Sequence, residues 1–267
     1  MPDIKRQVNR SVKHDLLKEF PMRYLVIVFL IVFNFKTFAQ QTLHFQSGEE
    51  QVQLLELYSS QGCSSCPPAE IWLSRLKHSP VLWDKVVPAV FHVDYWNDLG
   101  WRDPFSSADY SKRQRTFAEQ GLSSAVYTPG FFINGREWRG WFNGKSLPID
   151  EQPAGILSVT FENNDVSVSY SQADTNQDVH IALLGLNAST KVDAGENHGR
   201  SLVEDFVVLK HVKYLLSSQG ETSGHWQLPP IPQQVGSLAI AVWVTSANSL
   251  LPLQATGGQI PDGYFNG

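Results

Sequence analysis

The chain runs to 267 residues yet has two cysteines and no long apolar stretch. Each shortage closes off a class of protein. Cys63 and Cys66 allow one bridge that closes almost no loop, so a disulfide between them is a poor structural staple. Two thiolates are also an incomplete zinc site, which normally has four ligands. The most apolar run, Tyr24 to Phe35, is about a dozen residues, against the roughly 20 that a spanning helix needs. Low-complexity tracts and repeats are missing. Lys and Arg number 21 against 26 Asp and Glu, a formal charge of −5, which argues against nucleic acid or anionic membrane as a partner.

The N-terminus does have the parts of a secretory signal: Met22-Arg23 as a basic start, the Tyr24–Phe35 run, and Lys36-Thr37-Phe38-Ala39 before Gln40. Cleavage is expected after Ala39, giving a signal peptide over 1–39. Met22 serves equally as initiator, so residues 1–21 need not be translated. No cysteine lies at the cut, which excludes lipoprotein processing. The reading is a chain exported to the periplasm or secreted, with no stable membrane anchor after cleavage. Removing residues 1–39 leaves 14 Lys and Arg against 23 Asp and Glu, a formal charge of −9. The remaining chain exceeds the commonest domain size and predicts two packed units, 40–150 and 151–267.

Export places Cys63 and Cys66 where disulfides persist. Gln51-Val-Gln-Leu-Leu-Glu-Leu-Tyr58 reads as a buried strand, and Ser59–Gly62 as a turn. Pro67 and Pro68 suit a first helical turn, where a missing N–H costs nothing. Cys63 is therefore expected at or just before a helix N-terminus, whose partial positive charge favours a thiolate. Cys66 lies one turn on and more buried. A second strand follows over Val86–Trp96, a helix over Tyr110–Gln120 stopped by Gly121, then Thr128-Pro129, an apolar strand and an Asn134-Gly135 hairpin turn.

This order resembles the thioredoxin fold. Glu56 to Ala69, Phe91 to Trp96, Leu99 to Phe105, Tyr127-Thr-Pro129 and Gly195-Glu-Asn-His-Gly-Arg-Ser-Leu202 together resemble a bacterial family of secreted thioredoxin-like proteins of unknown function. The resemblance implies an α/β thioredoxin-like domain with a redox-type motif, leaving the substrate open. It implies Cys63 as nucleophile, Cys66 as resolving thiol, and Pro129 as a cis-proline facing them, with Thr128 before it. Glu56 resembles the strand carboxylate that shuttles the resolving cysteine's proton, although it stands seven residues before Cys63, one more than the usual spacing. The prolines and glycines of 137–153 interrupt the helix with which that fold normally closes.

Beyond about residue 150 the hydrophobic period becomes two. Leu157–Phe161 and Val166–Tyr170 alternate strictly, and Val179–Leu186, Phe206–Tyr214 and Leu238–Val244 are further strands. They predict an appended antiparallel β unit, such as a sandwich. Trp96, Trp101 and Tyr127 are candidate substrate contacts. His92 and Asp94 alternate around Val93 and are expected to share a strand face as a hydrogen-bonded pair. His198 fits a turn better than a metal site, and no metal ligand set or cofactor is predicted. Asn187-Ala-Ser189 matches a glycosylation sequon without consequence in a bacterial chain.

Three functions fit these residues. The first is thiol–disulfide exchange on exported protein thiols or disulfides, with a redox partner protein to recharge it. The second is copper(I) handling through the same two soft thiolates. The third is a non-catalytic periplasmic binding module.

Overall fold

A computed structural model describes residues 42–162 and 165–266; the expected signal peptide over 1–39 lies outside them. Among the described residues, fourteen strands and two α-helices form a mixed α/β, strand-rich structure. The strands make an eight-stranded sheet, a four-stranded sheet and a two-stranded ribbon. Among the described residues no helix is long and apolar enough to cross a membrane.

The first half of the large sheet grows from the expected apolar runs. Strands β2 (Gln53–Ser59) and β3 (Val86–His92) are buried along their whole length and pair in parallel. Continuous burial is what a parallel pair covered on both faces demands. β4 (Gly130–Ile133) adds antiparallel to β2, and β5 (Arg136–Glu137) follows through the Asn134-Gly135 turn, both residues at positive φ. Helix α1 (Pro67–Ser74) follows β2. Helix α2 (Ala108–Glu119) starts on Ser107, whose hydroxyl accepts from the Asp109 N–H, and is followed by Gly121 at φ 71°.

Strand alternation sorts these helices to opposite faces. Phe131 pairs with Leu57, and its ring meets Trp72 of α1. Phe132 pairs with Glu56, and its ring packs on Phe117 of α2. Odd positions of β2 thus look toward α1, and even positions toward α2.

The second half of the large sheet comes from beyond residue 150. β11 (Val207–Leu216) meets β3 in parallel at Val207–Val90, and then β8 (Gln177–Leu186), β13 (Ser237–Ser246) and β14 (Pro252–Ile260) continue antiparallel. The expected boundary near 150 therefore falls inside one sheet, to which each side gives four strands, and residues 40–267 form one compact unit.

β8 is buried on both faces because it divides two cores. His180, Ala182 and Leu184 face the helix side, while Val179, Ile181 and Leu183 face the four-stranded sheet of β1 (Thr42–Gln46), β6 (Leu157–Glu162), β7 (Asp165–Tyr170) and β12 (Glu221–His225). On the helix side, His180, His211 and Trp243 stack across three strands with centroids 5.0–5.2 Å apart. Burial holds both imidazoles below their usual range, His211 at about 3, so both are neutral at physiological pH. The remaining pair, β9 (Ala188–Lys191) and β10 (Ser201–Glu204), forms the antiparallel ribbon, and its connecting loop reaches the cysteines.

Candidate functional site

Cys63 precedes α1 by one turn. Its N–H donates to the Ser60 carbonyl, Cys66 N–H to the Cys63 carbonyl, and the Ala69 and Glu70 N–H groups to the Cys66 carbonyl. Pro67 and Pro68 occupy the first helical positions, where no N–H is needed. Both cysteines are free thiols, with Cys63 1% and Cys66 0% exposed.

The two thiols are chemically unequal. A hydrogen bond from the Cys66 thiol, reinforced by Ser65 at 3.2 Å, outweighs burial and draws Cys63 down to about 6. Burial pushes Cys66 well above its usual range, and the neighbouring Cys63 and Glu70 charges add to this. At neutral pH Cys63 is a thiolate and Cys66 a thiol. Cys63 Sγ also lies 3.9 Å from the Thr128 carbonyl oxygen, and the Thr128–Pro129 peptide is cis.

The expected aromatic residues surround this pair at differing range. The Trp96 indole donates to the Thr128 hydroxyl at 2.9 Å, and Trp96 Cβ packs on Gly62, where an added Cβ would come within 3.0 Å. Trp101 donates to the Gln61 side chain at 3.2 Å. Tyr127 turns away: its hydroxyl donates to Glu137 at 2.7 Å, and the Arg139 guanidinium covers its ring.

Glu56 is not brought to the cysteines. Its oxygens accept two hydrogen bonds from Arg113 of α2, at 2.8 and 3.0 Å, and one from the Tyr58 hydroxyl. The extra residue in its spacing from Cys63 is the physical reason, since a shift by one along a strand reverses the face a side chain occupies. The carboxylate on the cysteine face is Glu70. It follows Cys66 by four residues, one helical turn, and accepts a short hydrogen bond from the Ser59 hydroxyl. That spacing is legible within Cys66-Pro-Pro-Ala-Glu70.

His92 and Asp94 do not form the expected pair, because β3 ends at His92. Asp94 caps onto α2, accepting from the Ser111 hydroxyl while its N–H donates to the same oxygen. His92 pairs beside Ser59 on the α1 face, and its Nδ1 donates to Asp103 at 2.7 Å. Burial alone would lower His92, but the Asp103 carboxylate raises it on balance; burial would raise Asp103, but the imidazole holds it low.

The loop between β9 and β10 was singled out in sequence through His198, yet His198 is exposed and its neighbours make the contacts. Asn197, fully buried, donates from Nδ2 to the carbonyls of Gln61 and Cys63, both at 2.9 Å. Glu196 accepts from the Ser64 N–H at 2.9 Å. Arg200 donates to the Asn197 side-chain oxygen at 2.8 Å and so fixes the amide.

A family model described as a protein of unknown function, DUF1223, matches residues 54–245, a span that includes the cysteine loop, Glu70, His92, the Thr128–Pro129 peptide and the β9–β10 loop. The chain belongs to this family. Membership in DUF1223 brings no established activity with it. A crystal structure of a protein from Agrobacterium tumefaciens is similar over 80% of this chain and 97% of its own, at 23% identity and a TM-score of 0.56. At that identity the likeness speaks for the fold alone. HBP35 of Porphyromonas gingivalis aligns over 79% of this chain and 76% of its own, at 11% identity and a TM-score of 0.47. No curated protein matches the sequence.

Proposed function

We propose that this DUF1223 protein is an exported thiol–disulfide oxidoreductase whose β2–α1–β3–α2–β4–β5 segment is a thioredoxin-like module. The module reading rests on the parallel β2–β3 pair, helices on opposite faces, the antiparallel β4–β5 hairpin and a cis-proline entering β4 beside the cysteine loop. Where that fold closes with a helix, this chain has one 3₁₀ turn, Trp141–Asn143, and passes on to β6. The observation that carries the reaction is the unequal placement of the thiols. Cys63 stands one turn before α1, 3.2 Å from the Ser65 hydroxyl and 3.9 Å from the Thr128 carbonyl oxygen, while Cys66 is fully buried at the helix start. Accordingly Cys63 is lowered to about 6 and Cys66 raised.

In this reaction the Cys63 thiolate attacks one sulfur of a partner disulfide. That bond breaks, a mixed disulfide forms and the partner's other sulfur leaves as thiolate. Cys66, on losing its proton, attacks Cys63 Sγ, expelling the second partner sulfur and closing the Cys63–Cys66 disulfide. Two electrons pass to the partner, and the reverse sequence oxidises a dithiol. Because Cys63 is 1% exposed, the partner reaches it only as the covering segments part.

Trapping tests the reading. Cys66→Ser is expected to accumulate mixed disulfides with exported proteins on non-reducing gels, and Cys63→Ser to trap far fewer. A copper(I) site predicts instead equal loss of binding in both variants with nothing trapped, and that outcome would overturn the proposal.

A further inference from the structure

Beside Cys66 the structure assembles a second group of side chains that the thiol chemistry does not use. Glu70 of α1, His92 at the end of β3 and Glu204 at the end of β10 are all buried, and one ligand atom from each lies within 4.8 Å of the others. His92 Nε2 and, with both carboxyls ionised, Glu204 Oε1 have no hydrogen-bond partner, although His92 is 0% and Glu204 1% exposed; a proton shared between Glu204 and Glu70 is the competing occupant. Leaving such atoms buried and unpaired is costly unless something is drawn to them.

Each group is oriented from behind. His92 Nδ1 donates to Asp103 Oδ2, so the free Nε2 presents its lone pair when the ring is neutral. Asp103 is itself fixed by the N–H groups of Gln61 at 2.8 Å and Phe105 at 2.9 Å. The other oxygen of Glu204 accepts from Gln61 Nε2 at 2.6 Å, and Glu70 accepts from Ser59. A carboxylate holding a histidine by its far nitrogen is the usual support of a metal-binding imidazole.

Charge adds an independent argument. Among the described residues no Lys or Arg forms an ion pair with Glu70, Asp103 or Glu204. Three buried carboxylates beside one imidazole require further positive charge, from protons or a cation. The separation of 3.9 Å between His92 Nε2 and Glu70 Oε1 is spanned by two metal–ligand bonds of about 2.0–2.2 Å each.

We propose that Glu70, His92 Nε2 and Glu204 form a binding site for one first-row divalent cation, with Asp103 as the positioning residue for His92. One nitrogen and two carboxylates suit Zn²⁺, Co²⁺ or Mn²⁺ rather than copper(I), and three protein ligands leave a position for water. The site is distinct from the thiolate pair and stands whether or not the chain exchanges disulfides.

The test uses the full chain carrying Cys63→Ser and Cys66→Ser together, so that no thiolate contributes, stripped with chelator and titrated with Co²⁺ and with Zn²⁺. Saturation at one equivalent per chain is expected, with visible Co²⁺ absorption bands and a raised melting temperature. Adding Glu204→Gln or His92→Gln should abolish binding, and adding Asp103→Asn should weaken it about tenfold or more. In case those variants misfold, proton NMR of the Co²⁺ form of the double variant should show a strongly shifted exchangeable imidazole proton, that of His92 Nδ1. Absence of saturable binding of both metals, survival of binding in a folded Glu204→Gln protein, or absence of the shifted proton would each overturn the site and leave the pocket a store of shared protons.

Discussion

At the residue scale, the chemistry turns on how much one cysteine alters the other. The hydrogen bond from Cys66 is the largest influence holding Cys63 near 6, so the thiolate predominates above about pH 6 and is lost below it. Alkylation of Cys63 with iodoacetamide is therefore expected to rise with pH to a midpoint near 6 and then level off. In Cys66→Ala the midpoint should move up toward the free-thiol value of about 8.5. An unmoved midpoint would show that the helix start and Ser65 suffice without Cys66. The two cysteines and Thr128-Pro129 were legible in sequence because local chain chemistry places them. Glu56 was misplaced because its role depends on which strand face it occupies, and one residue of offset exchanges the α1 side for the α2 side. Glu204 carried no local signal, since the meeting of β11 with β3 at Val207–Val90, far apart in the chain, brings it beside His92 and Glu70.

At the scale of elements, the β9–β10 loop ties the C-terminal part of the chain to the cysteine turn. Asn197 satisfies two buried carbonyls with one amide nitrogen, so Asn197→Ala should cost about 1–3 kcal/mol in chemical denaturation. It should also speed alkylation of Cys63 at a fixed pH, because the turn loses its clamp. Unchanged alkylation in a destabilised Asn197→Ala protein would mean that the loop braces the fold without controlling access. Strands with strict alternation or continuous apolar character, β2, β3, β6, β7 and β8, are readable from the chain. β14 is not readable in this way, because Gly257 and Gly258 break its pattern. Those glycines answer to packing: an added Cβ at Gly257 would come within 2.3 Å of the Ile240 carbonyl, and one at Gly258 within 2.4 Å of the Phe45 ring.

At the scale of the whole molecule, the change of hydrophobic period near residue 150 marks a change of sheet architecture, and the sheet itself runs across it. Sequence periodicity reports which faces a strand buries and is silent on which strand lies beside it, so the join of β3 to β11 was not legible. The join is reinforced by Arg113, whose guanidinium pairs with Glu56 of β2 and lies 5.6 Å from the Phe91 ring of β3 and 5.7 Å from the Trp243 ring of β13. Arg113→Met leaves a buried carboxylate uncompensated and should destabilise the protein by about 3–5 kcal/mol, whereas pairing it with Glu56→Leu should recover most of that loss. Equal loss in the single and double variants would show that Arg113 acts through its ring contacts. Cutting the chain at 150 removes more: β3 loses β11, β1 loses β6, and the helix-side core loses Ala182, Leu184, Phe206 and Trp243. The fragment 40–150 would present β3 as an open apolar edge, which favours aggregation over folding. Chain 40–267 should therefore unfold in one cooperative transition, coincident by far-UV and near-UV circular dichroism, while the 40–150 fragment shows no cooperative melt. A fragment that folds with the near-UV signature of its tryptophans would mean that the first half carries its own stability and that the second was added to it.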